Sequence, residues 1–254
     1  VNFPAFFQAI QFLGKKWASV PPILRAPLGM LLVLLPMLPF GRYLLPLLAP
    51  ALIYPEFSRA LRNGNLARAF WIAILWAFCF SAVLVFLAEW NYPKMEAGVL
   101  FAKEYREEMF SWLATGRGRE GDWRQFLPQH LLHLGVFVFV ARVFGGYLAL
   151  ALGSFLIAYM SVFVAAVALA SHRPVVGAVV AWFPWAVCRV VGFVALGTIL
   201  ARRQLLRSSG VFSIQERRWF ALAATAILLD WLLKALLAEP YRQLLQGWIE
   251  APKP

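Results

Sequence analysis

The chain has 254 residues, of which 62% are apolar and only 14% charged, against roughly 25% charged in an ordinary soluble domain. A folded soluble monomer leaves much of its area in water, so this composition excludes a soluble enzyme, a disordered chain and a disulfide-stapled secreted domain. It predicts an all-α, polytopic membrane bundle of about five to six transmembrane helices in a single domain, 1–254. The formal charge of +12, from 24 Lys+Arg and 12 Asp+Glu, is the Lys and Arg excess that cytoplasmic loops carry; nucleic acid is not among the expected partners, and the lipid bilayer is. Cys79 and Cys188 lie in apolar runs without the spacing of a metal site or a disulfide framework.

Residues 3–18 place Phe6, Phe7, Ile10 and Leu13 near one helical face, closed by Lys15, Lys16 and Trp17. This predicts an interfacial N-terminal segment over 1–26, or a short helix packed on the bundle. Residues 27–54 are apolar but interrupted by Pro27, Pro36, Pro39, Pro46 and Pro50, with Gly41-Arg42 at the centre. Each half is too short for a span of about 20 residues, and proline breaks helices, so a broken or re-entrant segment is expected, with Arg42 near its apex. Residues 56–68 carry Arg59, Arg62 and Arg68 against Glu56, a cytoplasmic loop by the positive-inside rule. A span over 69–88 follows.

The segment 91–125 is the longest hydrophilic stretch, with six Lys/Arg balanced by six Asp/Glu up to residue 128. It is expected outside, with a surface helix over 97–114 that stops at Thr115-Gly116-Arg117-Gly118. Spans are expected over 127–144, 145–170 and 176–200. They return the chain to the inside at residue 201, where Arg202, Arg203, Arg207, Arg217 and Arg218 face only Glu216. A last span, about 219–238, leads out again. Gly145, Ala149 and Gly153 recur every four residues, a small-residue face that admits a close neighbouring helix. The compartment this predicts is a bacterial cytoplasmic (inner) membrane.

Charges at bilayer depth are costly and face a partner or a cavity. Arg189, Asp230, Lys234 and Arg42 are the intramembrane charged residues. Asp230 and Lys234 are four apart and can pair on one helix face; Asp230 is also a candidate partner for Arg189. A second group lies on the external side. Glu104, Glu107 and Glu108 share one face of the surface helix, His130 and His133 share another on the following span, and His172 falls in the loop Ser171-His172-Arg173-Pro174. His130, His133, His172 and Glu104 are candidate ligands for a divalent metal; Glu107, Glu108 and His130 are candidate catalytic residues.

Glu107-Glu108 followed by Phe126-Leu127-Pro128-Gln129-His130 resembles in part the E-E-x-x-x-R and F-x-x-x-H motifs of the CAAX-protease and bacteriocin-processing family of intramembrane enzymes. The resemblance implies a glutamate that activates water and histidines that orient it. The chain departs from the pattern at Trp112, where the family has arginine, and at Val176, where it has asparagine four residues after the later histidine. Three readings follow: a non-enzymatic subunit, assembly factor or scaffold of a larger membrane complex; a metal-dependent intramembrane hydrolase using the Glu/His cluster; and a small-solute transporter with the broken segment 27–54 and Arg189 lining its path.

Overall fold

The computed structural model describes residues 34–38, 40–208 and 210–249; the expected interfacial helix of 1–26 and the first part of the segment 27–54 lie outside them. A 3-10 turn at Leu35–Met37 leads into α1 (Gly41–Leu48), a second 3-10 turn (Ala49–Leu52) and α2 (Tyr54–Arg62). Then follow α3 (Leu66–Trp90), the short α4 (Tyr92–Gly98), α5 (Ala102–Thr115), α6 (Trp123–Val143), α7 (Gly146–Ala170), α8 (Pro174–Ala181), α9 (Pro184–Leu205) and α10 (Ile214–Gln246). Five of these, α3, α6, α7, α9 and α10, are long and apolar enough to cross a membrane. The protein is an all-α, multi-pass membrane protein.

The segment before α2 is broken as its prolines require. Pro36 and Pro50 sit in 3-10 turns, and Pro46 lies inside α1. Arg42 is exposed on α1, its guanidinium 4.9 Å from the Tyr43 ring centroid. Tyr147 at the start of α7 donates to the Leu47 carbonyl at 2.6 Å and so ties the broken segment to the bundle. Gly98 lies so close to the Pro36 carbonyl that a Cβ would come within 1.8 Å of its oxygen.

The remaining turns gather at two ends. Gly64 approaches Arg202, and Gly145 (φ +84°) approaches Gln204, which brings the α2–α3, α6–α7 and α9–α10 turns to one arginine-rich end. At the other, Arg242 and Gln246 of α10 donate to the Leu113 carbonyl at 3.1 and 2.5 Å, and Ser171 bridges Ile249. The α5 helix ends at Gly116 in the left-handed conformation, the stop expected from its sequence. It buries Met109, Trp112 and Leu113, so it is packed against the bundle rather than lying free.

One expected span is corrected. The stretch 176–200 is not one span: Phe183-Pro184 restarts the chain, because Pro184 offers no donor and suits the first turn of a new helix, leaving α8 as a short preceding helix. The small-residue face of α7 does not meet a neighbouring helix at Gly153. At Gly153 a Cβ would meet nothing within 4 Å, whereas at Gly192 of α9 it would come within 2.7 Å of Ile227 Cγ1 and 3.2 Å of the Ala223 carbonyl oxygen. At Gly192, α9 closes tightly on α10. On the far side, α3 packs on α7 through alanines and a buried Ser81–Ser161 hydroxyl contact of 2.9 Å.

Candidate functional site

Asp230 lies midway along α10, about 24 Å from either end at ~1.5 Å per residue. One turn later comes Lys234. Both are nearly inaccessible, at 1% and 2% exposed. Charges at such a depth need partners, and the fold supplies them from two directions. Arg189, little more than a turn into α9, donates Nε to Asp230 Oδ2 at 3.0 Å and Nη2 to Oδ1 at 2.9 Å. Lys234 Nζ reaches Glu120 Oε2 at 2.6 Å, and lies 4.6 Å from the Phe126 ring centroid. The expected Asp230–Lys234 pair is therefore replaced by two pairs with other elements. Across the α9 interface Asp230 finds a bidentate partner, and the loop before α6 folds inward far enough to bring Glu120 to the lysine.

His130 stands 3.6 Å from Asp230 Oδ2 through Nδ1, too far for a hydrogen bond, and that nitrogen is buried without a partner. Its ring packs on Phe126 at 5.4 Å. Glu108 of α5 pairs with Arg119 at 3.0 Å. Tyr105 of α5 and Tyr159 of α7 meet at 4.7 Å between ring centroids. Burial, reinforced by the Glu120 carboxylate, pushes the Tyr105 hydroxyl well above its ordinary pKa, so it stays a phenol that can donate.

These side chains close one end of a cavity of about 140 Å³ between α3, α6, α7 and α9. Its lining runs along α7 from Gly146 to Met160, roughly 20 Å at ~1.5 Å per residue. The polarity changes along that length. From the arginine-rich end the walls are Phe57, Ala73, Ala149, Gly153, Ile157 and Val194, among others of the same kind, with Thr198 as the one hydroxyl on that stretch of α9. Towards the other end they become Tyr105, Glu108, Arg119, Glu120, Gln129, His130, His133, Arg189 and Lys234.

Of the sequence-derived candidates, Glu108, His130 and His133 thus line one cavity, together with Arg189 and Lys234. Glu104, Glu107 and His172 do not join them: all three are exposed, and Glu107 lies 3.6 Å from Arg106 and 4.0 Å from Lys103. The proposed metal set of His130, His133, His172 and Glu104 is split, because α5 turns Met109 and Trp112 inward and leaves Glu104 at its edge, while His172 sits in the α7–α8 turn. Among the described residues, no three His, Cys, Asp or Glu side chains are close enough to hold a metal ion. Glu120, Arg119, Tyr105 and Tyr159 were not anticipated. A buried Lys234 that needs a carboxylate was the available signal for Glu120. For the tyrosines there was none, since aromatics are common at every interface of such a chain.

Compared with protein-family models, with curated proteins and with solved structures, the chain finds no match.

Proposed function

We propose that this is a non-enzymatic protein of a bacterial cytoplasmic membrane, a subunit or accessory of a larger complex, and that it holds one slender amphipathic molecule in the cavity between α3, α6, α7 and α9. The observation that carries the reading is the polarity change along that cavity: apolar walls for most of its length, then charged and hydroxyl side chains at one end. An apolar tail buried along the first part loses its contact with water or lipid disorder, and a polar head finds donors and acceptors at the second. Free space of about 140 Å³ is close to the ~150 Å³ that accepts a benzene ring in an engineered apolar cavity. It suits a single narrow tail and not a two-chain lipid.

The non-enzymatic part rests on how the acids are engaged. Glu108, Glu120 and Asp230 each pair with a cation, which leaves no carboxylate of the cluster free to act as a base. With the arginine-rich end in the cytoplasm, the polar end of the cavity lies towards the external leaflet. Gly153→Leu tests the reading. A Cβ there meets nothing within 4 Å, so the added side chain fills the cavity instead of clashing. Native mass spectrometry from membrane-derived discs is expected to find a bound amphiphile of discrete mass on the parent protein and none on the folded variant. An empty parent protein refutes the reading.

A metal-dependent hydrolase is the second reading, favoured by Glu108, His130 and His133 lining the same cavity. A stable His130→Ala protein that loses stoichiometric metal would replace the first reading with this one.

A further inference from the structure

The charged groups at the polar end balance. Arg119, Arg189 and Lys234 stand against Glu108, Glu120 and Asp230, each cation within 3.0 Å of its acid, and the imidazoles of His130 and His133 lie among them. A site built for a phosphate or carboxylate head leaves cations without a protein counter-ion, because the ligand is to supply it. Here every cation already has one. An added anion would meet the Glu108 and Glu120 carboxylates, with Asp230 behind Arg189, and an added cation would meet the Arg189 and Lys234 charges, in surroundings of low dielectric where such mismatches are costly.

The same groups still have hydrogen-bonding capacity. Arg189 uses Nε and Nη2 on Asp230, and its Nη1 makes no hydrogen bond to that acid; a guanidinium carries five N–H donors in all. About a fifth of its side chain remains accessible, at 22%, and it lines the cavity. Gln129 adds a donor and an acceptor, and Tyr105 and Tyr159 add hydroxyls.

We infer that the cavity selects a single-tailed amphiphile whose head has no net charge and carries both donors and acceptors, either a polyol or a zwitterion. The inference rests on the cavity being a ligand site, as proposed above, and the experiment separates the two. Four probes share a hexyl tail, matched to the free space of about 140 Å³, and differ in the head: glycerol ether, phosphocholine, phosphate and trimethylammonium. Binding is measured by the shift in thermal unfolding of the full chain in detergent micelles. The glycerol and phosphocholine probes are expected to stabilise the parent protein, and whichever does so more names the head. The phosphate and trimethylammonium probes are expected to bind at least tenfold more weakly.

Two single substitutions then move the balance. Glu108 and Arg119 are partly exposed, 36% and 54% by side chain, so changing either leaves the buried pairs intact. Glu108→Gln is expected to raise the relative affinity for the phosphate probe by about tenfold, and Arg119→Gln to raise that for the trimethylammonium probe to a similar degree. Tightest binding of the phosphate or trimethylammonium probe to the parent protein overturns the inference and leaves the ligand site standing. So does an unchanged relative affinity for the phosphate probe in Glu108→Gln and for the trimethylammonium probe in Arg119→Gln. If none of the four probes binds, the site itself fails and the inference with it.

Discussion

The Arg189 guanidinium holds both carboxylate oxygens of Asp230 across the α9–α10 interface, at 3.0 and 2.9 Å. The two neutralise each other at that depth, so removing one leaves the other without its bidentate partner. Asp230→Leu alone, or Arg189→Met alone, is expected to cost about 3–5 kcal/mol, as breaking one side of a buried pair does. The double variant Arg189→Met, Asp230→Leu is expected to recover most of that loss, since both charges leave together. Thermal unfolding of the four proteins in one detergent, read as a double-mutant cycle, gives the coupling. Additive losses would show that the pair is not a unit.

The α9–α10 contact closes over Gly192. A Cβ there would sit 2.7 Å from Ile227 Cγ1 and 3.2 Å from the Ala223 carbonyl oxygen, and backbone cannot move aside as a side chain can. Gly192→Val is expected to abolish monodisperse, folded protein in size-exclusion chromatography. Gly153→Ala, on the open face of α7, is expected to leave yield and unfolding temperature unchanged. Equal behaviour of the two variants would contradict the packing described.

At the arginine-rich end, one carboxylate organises the start of α10. Glu216 accepts from the Ser213 backbone N–H at 2.9 Å, while its own N–H donates to Ser213 Oγ at 3.2 Å, a reciprocal cap. It also takes Arg202 at 3.0 Å and Arg203 at 3.4 Å. Ser213→Ala removes one cap bond and is expected to cost about 1 kcal/mol. Glu216→Gln gives up two charge-assisted contacts as well and is expected to cost more, about 2 kcal/mol or above. Chemical unfolding curves rank them. A larger loss for Ser213→Ala would mean that the arginine contacts add nothing.

The contrast between what the residues announced and what they concealed follows the range of the interactions. Span positions depend on local hydropathy, so α3, α6, α7 and α10 lie close to their expected places. Their ends run beyond it because charged and capping residues such as Glu216 continue a helix into the interface. Arg189 with Asp230 was open to inference, because an acid at matching depth is scarce in such a chain. That Lys234 needs a carboxylate was legible too, but not that Glu120 supplies it, since the acid comes from a loop whose inward fold is set by α5 packing on α7 and α10. The Glu/His cluster was half legible for the same reason. Spacing put Glu104, Glu107 and Glu108 on one face, but only the rotation of α5 decides that Glu108 reaches the cavity while the other two stay exposed.

Orientation is the remaining expectation open to direct test, and it fixes which leaflet the polar end of the cavity faces. The warrant is charge. Residues 56–68 and 201–218 hold eight arginines, whereas 91–128 balances six basic residues with six acids, and short loops rich in Lys and Arg stay on the cytoplasmic side. The five spans make the assignment indivisible, because the turns at Gly64, Gly145 and Gln204 gather at one end and must lie on one side together. In a background with Cys79 and Cys188 replaced by alanine, single cysteines at Val211 and Lys103 report from opposite ends; Val211 is 84% exposed and the Lys103 side chain 65%. A membrane-impermeant thiol reagent is expected to label Lys103→Cys in intact cells and Val211→Cys only after permeabilisation. Labelling of Val211→Cys in intact cells would invert the protein. It would also move Arg189, Glu120 and Lys234 to the cytoplasmic leaflet, so an amphiphile bound there would have to be drawn from that leaflet.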